Sequence, residues 1–483
     1  MHYRAIVRIL GLLVALFSVT MIPPALISLV FEDGSGLPFI IAFLMCVATG
    51  TVMWYPNRYH RKELRAKEGF LIVVLFWTVL ASFGAIPFIL LEQPSMTVTD
   101  AFFESFSGLT TTGATVIEGI EFLPHSIQFY RQQLQWLGGM GIIVLAVAIL
   151  PILGVGGMQL YRAETPGPVK DSKMTPRIAD TAKHLWYIYL SLTIACTGAY
   201  MIAGMDWFDA VCHSFATVAI GGFSTHDASL GYFDSPMVNA VCSIFLLIAA
   251  LNFSLHYAAA SSRSIKGYLR DPEFKAFLCI QFALIMICFL VLTLSGYYGS
   301  AEEALDQAMI QAVSISTTAG FATTDFSSWP AFLPILLIFS SFIGGCASST
   351  GGGLKVVRVL LLFLQGKREV DRLIHPKAVY SVKLGERAMP DRVVEAVWGF
   401  FSAYAIVFVV IMIGMIATGL DNISAFTATA ATLNNLGPGL GSVAGTYSEV
   451  TDAGKWLLVL AMLFGRLEVF SLLVLFSPTF WRS

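Results

Sequence analysis

Ser107-Gly-Leu-Thr-Thr-Thr-Gly113-Ala-Thr115 lies between two long apolar segments, and its plan recurs three times along the chain. The recurrences are Ala216-Thr-Val-Ala-Ile-Gly-Gly222-Phe-Ser-Thr225, Ser314-Ile-Ser-Thr-Thr-Ala-Gly320-Phe-Ala-Thr-Thr324 and Ala430-Ala-Thr-Leu-Asn-Asn-Leu-Gly437-Pro-Gly439. Gly113, Gly222, Gly320 and Gly437 are 109, 98 and 117 residues apart, and each follows an acidic residue (Asp100, Asp209, Asp306, Asp421) by 13 to 16 positions. Residues 99–109, 208–218, 305–316 and 422–433, which precede the glycines, are too short to cross a bilayer as helices, so they read as re-entrant. An acidic residue near the start of each suits the positive end of a helix dipole, which leaves the negative end pointing toward the membrane centre.

The setting is lipid. Of 483 residues, 56% are hydrophobic and 12% charged, with a mean hydropathy of +0.75. Soluble domains carry roughly twice that share of charge. Apolar stretches of spanning length occupy residues 9–31, 37–55, 71–91, 129–153, 185–203, 237–258, 274–297, 332–363, 397–418 and 456–476, which predicts ten crossings. The first is long, contains Pro23-Pro24 and lacks a small-residue cleavage site, so it reads as a retained helix and not a signal peptide. The seven cysteines are scattered singly, in neither a disulfide framework nor a metal-ligand pattern, and read as small core residues.

When connecting loops are assigned alternately to the two faces, one face receives every Lys and Arg except Arg131, Lys455 and Arg466. That face is the cytoplasm by the positive-inside rule, and both termini lie there. The four glycine stretches fall on the outer side with Glu118, Glu121, Asp227, Asp234, Asp325 and Glu449, an acidic face that concentrates cations. The expected fold is therefore an all-α integral membrane protein of ten transmembrane helices: an N-terminal pair, then four pseudo-repeats of helix, pore loop and helix around a central ion pore. The expected units are residues 1–66, 67–168, 169–270, 271–366 and 367–483, the last including a basic cytoplasmic loop.

Dehydrating an ion calls for carbonyl oxygens, and non-helical backbone at membrane depth is tolerated where it lines a polar cavity. The candidate ion-binding residues are Thr111, Thr112 and Gly113; Ile220, Gly221 and Gly222; Thr318, Ala319 and Gly320; and Asn435, Leu436 and Gly437. A second candidate is Gly344-Gly345-Cys-Ala-Ser348-Ser349-Thr350-Gly351-Gly352-Gly353, which interrupts the span at residues 332–363. Five glycines in ten residues disfavour a continuous helix at about 1 kcal/mol each, so an intramembrane loop is expected there. Arg466, inside an apolar run, is expected to face a polar cavity. The Arg131-Gln-Gln-Leu-Gln135 run either lines the mouth or makes helix contacts. His213-Ser214 and His226-Asp227 have no triad spacing.

The four units, the run from Gln135-Trp-Leu-Gly-Gly-Met-Gly141 to Pro151, and Ser348-Ser-Thr-Gly-Gly-Gly353-Leu-Lys-Val356 together resemble the membrane subunit of bacterial Trk potassium transporters, and more broadly the Trk/Ktr/HKT superfamily. The resemblance covers essentially the whole chain. It implies K+ as the transported ion, bound by the candidate filter residues, with no covalent cofactor. It also implies one pore per subunit, a homodimer in the bacterial inner membrane, and a cytosolic, ring-forming TrkA-like regulatory subunit that binds NAD(H) or ATP/ADP. The residue 344–353 loop becomes a gate, with Arg466 beside the pore beneath it. In that family a glycine in every repeat accompanies potassium preference, whereas serine in the first accompanies sodium; Gly113 fits the former. Gated uptake is the expected function. Obligatory H+ or Na+ symport is the alternative, and a membrane enzyme or a receptor-like scaffold are more distant ones.

Overall fold

A computed structural model describes residues 1–60, 66–141, 178–330 and 332–482. The 142–151 end of the Gln135 run, the basic residues at 61–65 and most of the basic loop at 162–183 lie outside the described residues. The regular structure of the described chain is almost all helix, with one two-stranded hairpin at Lys383–Leu384 and Arg387–Ala388. Its longer helices are α1 (Tyr3–Phe17), α2 (Ile22–Phe31), α3 (Gly36–Trp54), α4 (Ala66–Gly84), α5 (Val98–Leu109) and α6 (His125–Gly139). They continue as α7 (Ile178–Ile202), α8 (Trp207–Ala219), α9 (Pro236–Ala249), α10 (Phe253–Ser262), α11 (Pro272–Leu294) and α12 (Ala301–Ser316). The last group is α13 (Leu333–Ile343), α14 (Val356–Ile374), α15 (Asp391–Ala417), α16 (Asn422–Leu433), α17 (Asp452–Arg466) and α18 (Phe470–Phe476).

Among the described residues, six helical segments are long and apolar enough to span a membrane: Tyr3–Phe31, Gly36–Asn57, Lys67–Ile89, Lys183–Ile202, Pro272–Leu294 and Asp391–Ala417. Two further expected spans are broken, α9 and α10 by 88° and α17 and α18 by 116°. The span expected at residues 332–363 is α13 and α14 separated by non-helical chain, and the one at 129–153 begins as α6. At the first break the Asn252 side chain caps α10 by accepting the Ser254 N–H at 2.8 Å.

Polarity is inverted relative to a soluble protein. Glu104, Arg131, Gln135, His213, Gln311 and Asn434 are fully buried, whereas Val52, Ile202, Phe282, Ile406 and Val410 are exposed. Lipid-facing helices and a polar interior account for both. Six of the cysteines are buried as expected, and Cys279 on α11 is exposed.

Helix contacts close a cycle. Each short helix packs between two longer ones: α5 with α4 and α6, α8 with α7 and α9, α12 with α11 and α13, α16 with α15 and α17. Each also packs against the helix that ends the preceding unit: α8 against α6, α12 against α9, α16 against α13, and α5 against α17. Loops after the short helices meet on one side. Asp227 accepts the Gly119 and Ile120 N–H groups at 2.8 and 2.9 Å, the Gly231 N–H reaches the Ala322 carbonyl at 3.2 Å, and the Tyr447 N–H reaches that of Thr115 at 2.8 Å.

The N-terminal pair is anchored by direct backbone contact. A β-carbon on Gly50 of α3 would stand 2.6 Å from the Gly11 carbonyl oxygen of α1, and one on Gly11 would stand 2.7 Å from the Trp54 nitrogen. A Gly50→Leu substitution is expected to destabilise the protein by about 1–3 kcal/mol. Thermal unfolding in detergent, compared with Gly267→Leu, where a β-carbon meets open space, checks this: equal midpoints would refute the close crossing.

Candidate functional site

The short helices share their caps. Thr97 accepts the Asp100 N–H at 3.1 Å, Asp206 that of Asp209 at 2.8 Å, Ser300 that of Glu303 at 3.1 Å, and Asp421 those of Ile423 and Ser424, both at 3.1 Å. Of the four spaced carboxylates, then, only Asp421 is itself the cap. Asp100 and Asp209 occupy first turns, where they still complement the dipole, while Asp306 accepts from Asn239 Nδ2 at 2.7 Å.

At the other end, the N–H of Thr112, Gly221, Ala319 and Leu436 returns to the carbonyl of Ser107, Ala216, Ser314 and Ala431 at 2.9, 2.8, 2.8 and 2.7 Å. This closure puts the preceding residue in the left-handed region: Thr111 at φ 56°, Ile220 at 55°, Thr318 at 72° and Asn435 at 54°. None is glycine, and each costs about 1–3 kcal/mol where a β-carbon must be accommodated. Gly113, Gly222, Gly320 and Gly437 then also take positive φ, at 79°, 75°, 83° and 98°.

What requires glycine here is the neighbour. A β-carbon on Gly113 would stand 2.1 Å from the Gly221 carbonyl oxygen, on Gly222 1.9 Å from that of Ala319, on Gly320 2.1 Å from that of Leu436, and on Gly437 2.7 Å from that of Thr112. Each of these carbonyls belongs to the residue just before the next glycine, and the fourth contact returns to the first unit. The four strands therefore form a closed ring of backbone. All twelve candidate ion-binding residues belong to it, with Thr111, Ile220, Thr318 and Asn435 at its helical base.

Side chains brace the ring. Arg131 Nε donates to Glu104 Oε1 at 2.7 Å, both side chains fully buried, and Arg131 also donates to the Ser224 carbonyl and Thr115 Oγ1, both at 3.1 Å. Glu104 accepts the Val116 N–H at 3.2 Å, so this ion pair joins the strands leaving Gly113 and Gly222. His213 Nε2 lies 2.9 Å from Ser224 Oγ, and Gln311 donates to the Thr324 carbonyl at 3.1 Å. Gln135 Nε2 donates to the Gly221 carbonyl at 2.6 Å and its Oε1 accepts the Phe223 N–H at 3.1 Å. Tyr447 donates to the Gly437 carbonyl at 2.7 Å. Sequence reasoning left the role of the 131–135 run open and missed Glu104, Gln311 and Tyr447; Glu104, His213 and Gln311 each stand nine residues before their glycine, a register that could have flagged them. His213 has the Asp209 backbone carbonyl at Nδ1, 2.8 Å away, where a catalytic triad would place a carboxylate.

Beneath the ring lies the loop between α13 and α14. Its Thr350 Oγ1 donates to the Val218 carbonyl at 3.0 Å, its Gly352 N–H to Thr318 Oγ1 at 2.7 Å, and its Gly353 N–H to the Asn434 carbonyl at 3.1 Å. Arg466 completes the set, donating to the Thr350 carbonyl at 3.1 Å, to Thr111 Oγ1 at 3.3 Å and to the Gly138 carbonyl. The loop thus touches the second, third and fourth units directly and reaches the first through Arg466. The stretch that carries Gly344, Gly345, Ser348, Ser349 and Gly351 is held at the α9–α10 break and by α14's leading lysine: the Cys346 N–H pairs with the Ala250 carbonyl at 2.8 Å, the Phe253 N–H with that of Ser348 at 3.2 Å, and Lys355 Nζ donates to that of Gly351. Glu273 Oε1 accepts the N–H groups of Ala347 at 2.7 Å and Val357 at 3.1 Å, stapling the two ends together. Glu468, two residues after Arg466, lies 2.5 Å from Arg358.

A family model described as TrkH, cation transport protein, matches residues 36–483. The Trk system potassium uptake protein TrkH of Vibrio parahaemolyticus serotype O3:K6 is 65% identical over 485 residues, and TrkH of Escherichia coli K12 is 64% identical over 483, each alignment covering 100% of both chains. The Trk system potassium uptake protein TrkG of Escherichia coli K12 is 42% identical over 482 residues, covering 100% of this chain and 99% of that one. The crystal structure of the potassium transporter TrkH from Vibrio parahaemolyticus matches with a TM-score of 0.92 at 62% identity, again over 100% of each chain. These relatives are named as transport proteins and not as enzymes. With a matching family model over most of its length and relatives this similar end to end, the chain belongs to the TrkH family of cation transport proteins.

Proposed function

We propose that this protein takes up potassium across the bacterial cytoplasmic membrane through a gated pore formed by four pseudo-repeats, residues 67–168, 169–270, 271–366 and 367–483, with the helices before residue 67 as a peripheral pair. The observation that carries the reading is the closed backbone ring at Gly113, Gly222, Gly320 and Gly437. Names of the relatives supply the ion. Carbonyls of Thr111, Thr112, Ile220, Gly221, Thr318, Ala319, Asn435 and Leu436 replace the water around a dehydrated K+. The C-terminal ends of α5, α8, α12 and α16 add negative potential beneath the ring. Membrane potential drives entry at about 2.3 kcal/mol per charge per 100 mV.

The loop at residues 344–353 obstructs the path below the ring, and Arg466 sets a positive charge beside it. Both termini lie in the cytoplasm, the protein pairs with a second copy in the membrane, and a TrkA-type cytosolic subunit that binds nucleotides controls the loop; the Trk system named for the relatives supports such a partner.

Purified protein in liposomes tests conduction directly. Potassium currents are expected to reverse at the potassium equilibrium potential whatever the proton and sodium gradients, and a reversal that follows either of those gradients would establish coupled symport instead. Gly113→Ser places a β-carbon against the Gly221 carbonyl, so the potassium-to-sodium permeability ratio is expected to fall about tenfold, the factor set by about 1.4 kcal/mol. An unchanged ratio would separate this glycine from ion discrimination. Arg466→Ala is expected to raise potassium flux roughly fivefold, corresponding to about 1 kcal/mol off the barrier. Wild-type flux from a normally assembled Arg466→Ala protein would remove the arginine from the gate.

A further inference from the structure

We propose that Gln135 is a specificity-determining residue of the ring, which holds the Gly221 carbonyl back and thereby disfavours an ion smaller than potassium. The inference rests on the conduction reading above. Gln135 is fully buried on α6, and its amide meets the second strand twice, on both sides of Gly222. A β-carbon on Gly221 would stand 2.5 Å from Gln135 Cδ, so the amide lies flat against that backbone. Its orientation is fixed chemically: a flipped amide would set oxygen against the Gly221 carbonyl and nitrogen against the Phe223 N–H.

The Gly221 oxygen is also the one that Gly113 faces. Its counterparts in the ring are the carbonyls of Thr112, Ala319 and Leu436, and among the described residues no side chain donates to them. One ligand position of four therefore has a lone pair engaged from behind. Two consequences follow for an ion in the ring. The engaged oxygen presents a weaker field than its neighbours, and its strand cannot move inward without stretching two hydrogen bonds. A smaller, more strongly hydrated cation needs both a strong field and close approach, so the clamp penalises it more than potassium.

Gln135→Met keeps the volume and loses both bonds. In liposomes under bi-ionic conditions, its potassium-to-sodium permeability ratio is expected to fall roughly two- to tenfold, the range that the net worth of a hydrogen bond sets. Gln132→Met serves as the control, since that buried amide on the same helix bonds to no described partner; its ratio should match wild type. If Gln135→Met does not assemble, Gln135→Asn, too short to reach both groups, is measured in its place with the same expectation. A reduced total flux with an unchanged ratio would mean that Gln135 only supports the fold, and would overturn the proposal. An unchanged ratio where Gly113→Ser lowers it would do the same while leaving the conduction reading intact. No potassium flux from wild-type vesicles would overturn both.

Discussion

Four missing β-carbons hold this structure to its plan. At each ring glycine the neighbouring carbonyl occupies the space that a side chain would fill, so the strands can meet only backbone to backbone. That contact dictates what surrounds it. The short helices must end at a common level, which their shared closing hydrogen bonds and left-handed residues achieve. Ile220 shows how firmly, because a β-branched residue is held at φ 55°. The polar backbone thus gathered cannot face lipid and is enclosed by the longer helices, hence the inverted burial pattern.

The seams of the ring differ. Between the first and second units lie the Glu104–Arg131 pair, which sends hydrogen bonds to both strands, and the Gln135 clamp. A buried ion pair recovers its desolvation cost only with good geometry and further hydrogen bonds, and Arg131 and Glu104 have both. Between the fourth and first units, Lys455 meets Asp100 at 2.6 Å and Asn435 Nδ2 donates to Thr112 Oγ1 at 2.9 Å. The third and fourth units meet through Phe426, whose ring stands 5.7 Å from that of Phe339 and 5.3 Å from that of Phe408, and through Asn434, whose Nδ2 donates to Ser341 Oγ at 2.9 Å. Directional bonds fix a strand's position more closely than apolar packing does. The first unit, held by polar bonds at both of its seams, is the one whose glycine the family resemblance ties to ion preference.

Much of this was legible in the sequence because it repeats. A glycine tied to an acidic residue at a near-constant distance survives reading without coordinates, and so do apolar runs of spanning length and the one-sided distribution of Lys and Arg. The loop at residues 344–353 was legible for a local reason, since five glycines cannot favour a helix. The breaks in the second and fourth units were not. They fall at Asn252, which is an ordinary helix cap, and at Glu468 and Val469, which take φ of 51° and 54° without any glycine to mark them. Both bends form around the loop: Ala250 pairs with Cys346, and Glu468 with Arg358 just beyond it. Tertiary contact overrode local preference there. Bracing partners such as Tyr447 were hidden for a similar reason, because their targets are backbone carbonyls of another unit.

The loop's contacts also bound what moving it would take. Four hydrogen bonds tie it to the base of the ring: Thr350 to Val218, Gly352 to Thr318, Gly353 to Asn434, and Arg466 to Thr350. At a net worth of about 0.5–1.5 kcal/mol each, they hold it by roughly 2–6 kcal/mol. Reversing a two-state balance from 1:99 to 99:1 takes about 5.5 kcal/mol of differential binding, which lies within that range. The staple at Glu273 matters here, because it ties Ala347 and Val357 to a single carboxylate oxygen. Force applied to α14 would then reach the loop as a whole and would not merely unravel its nearer end.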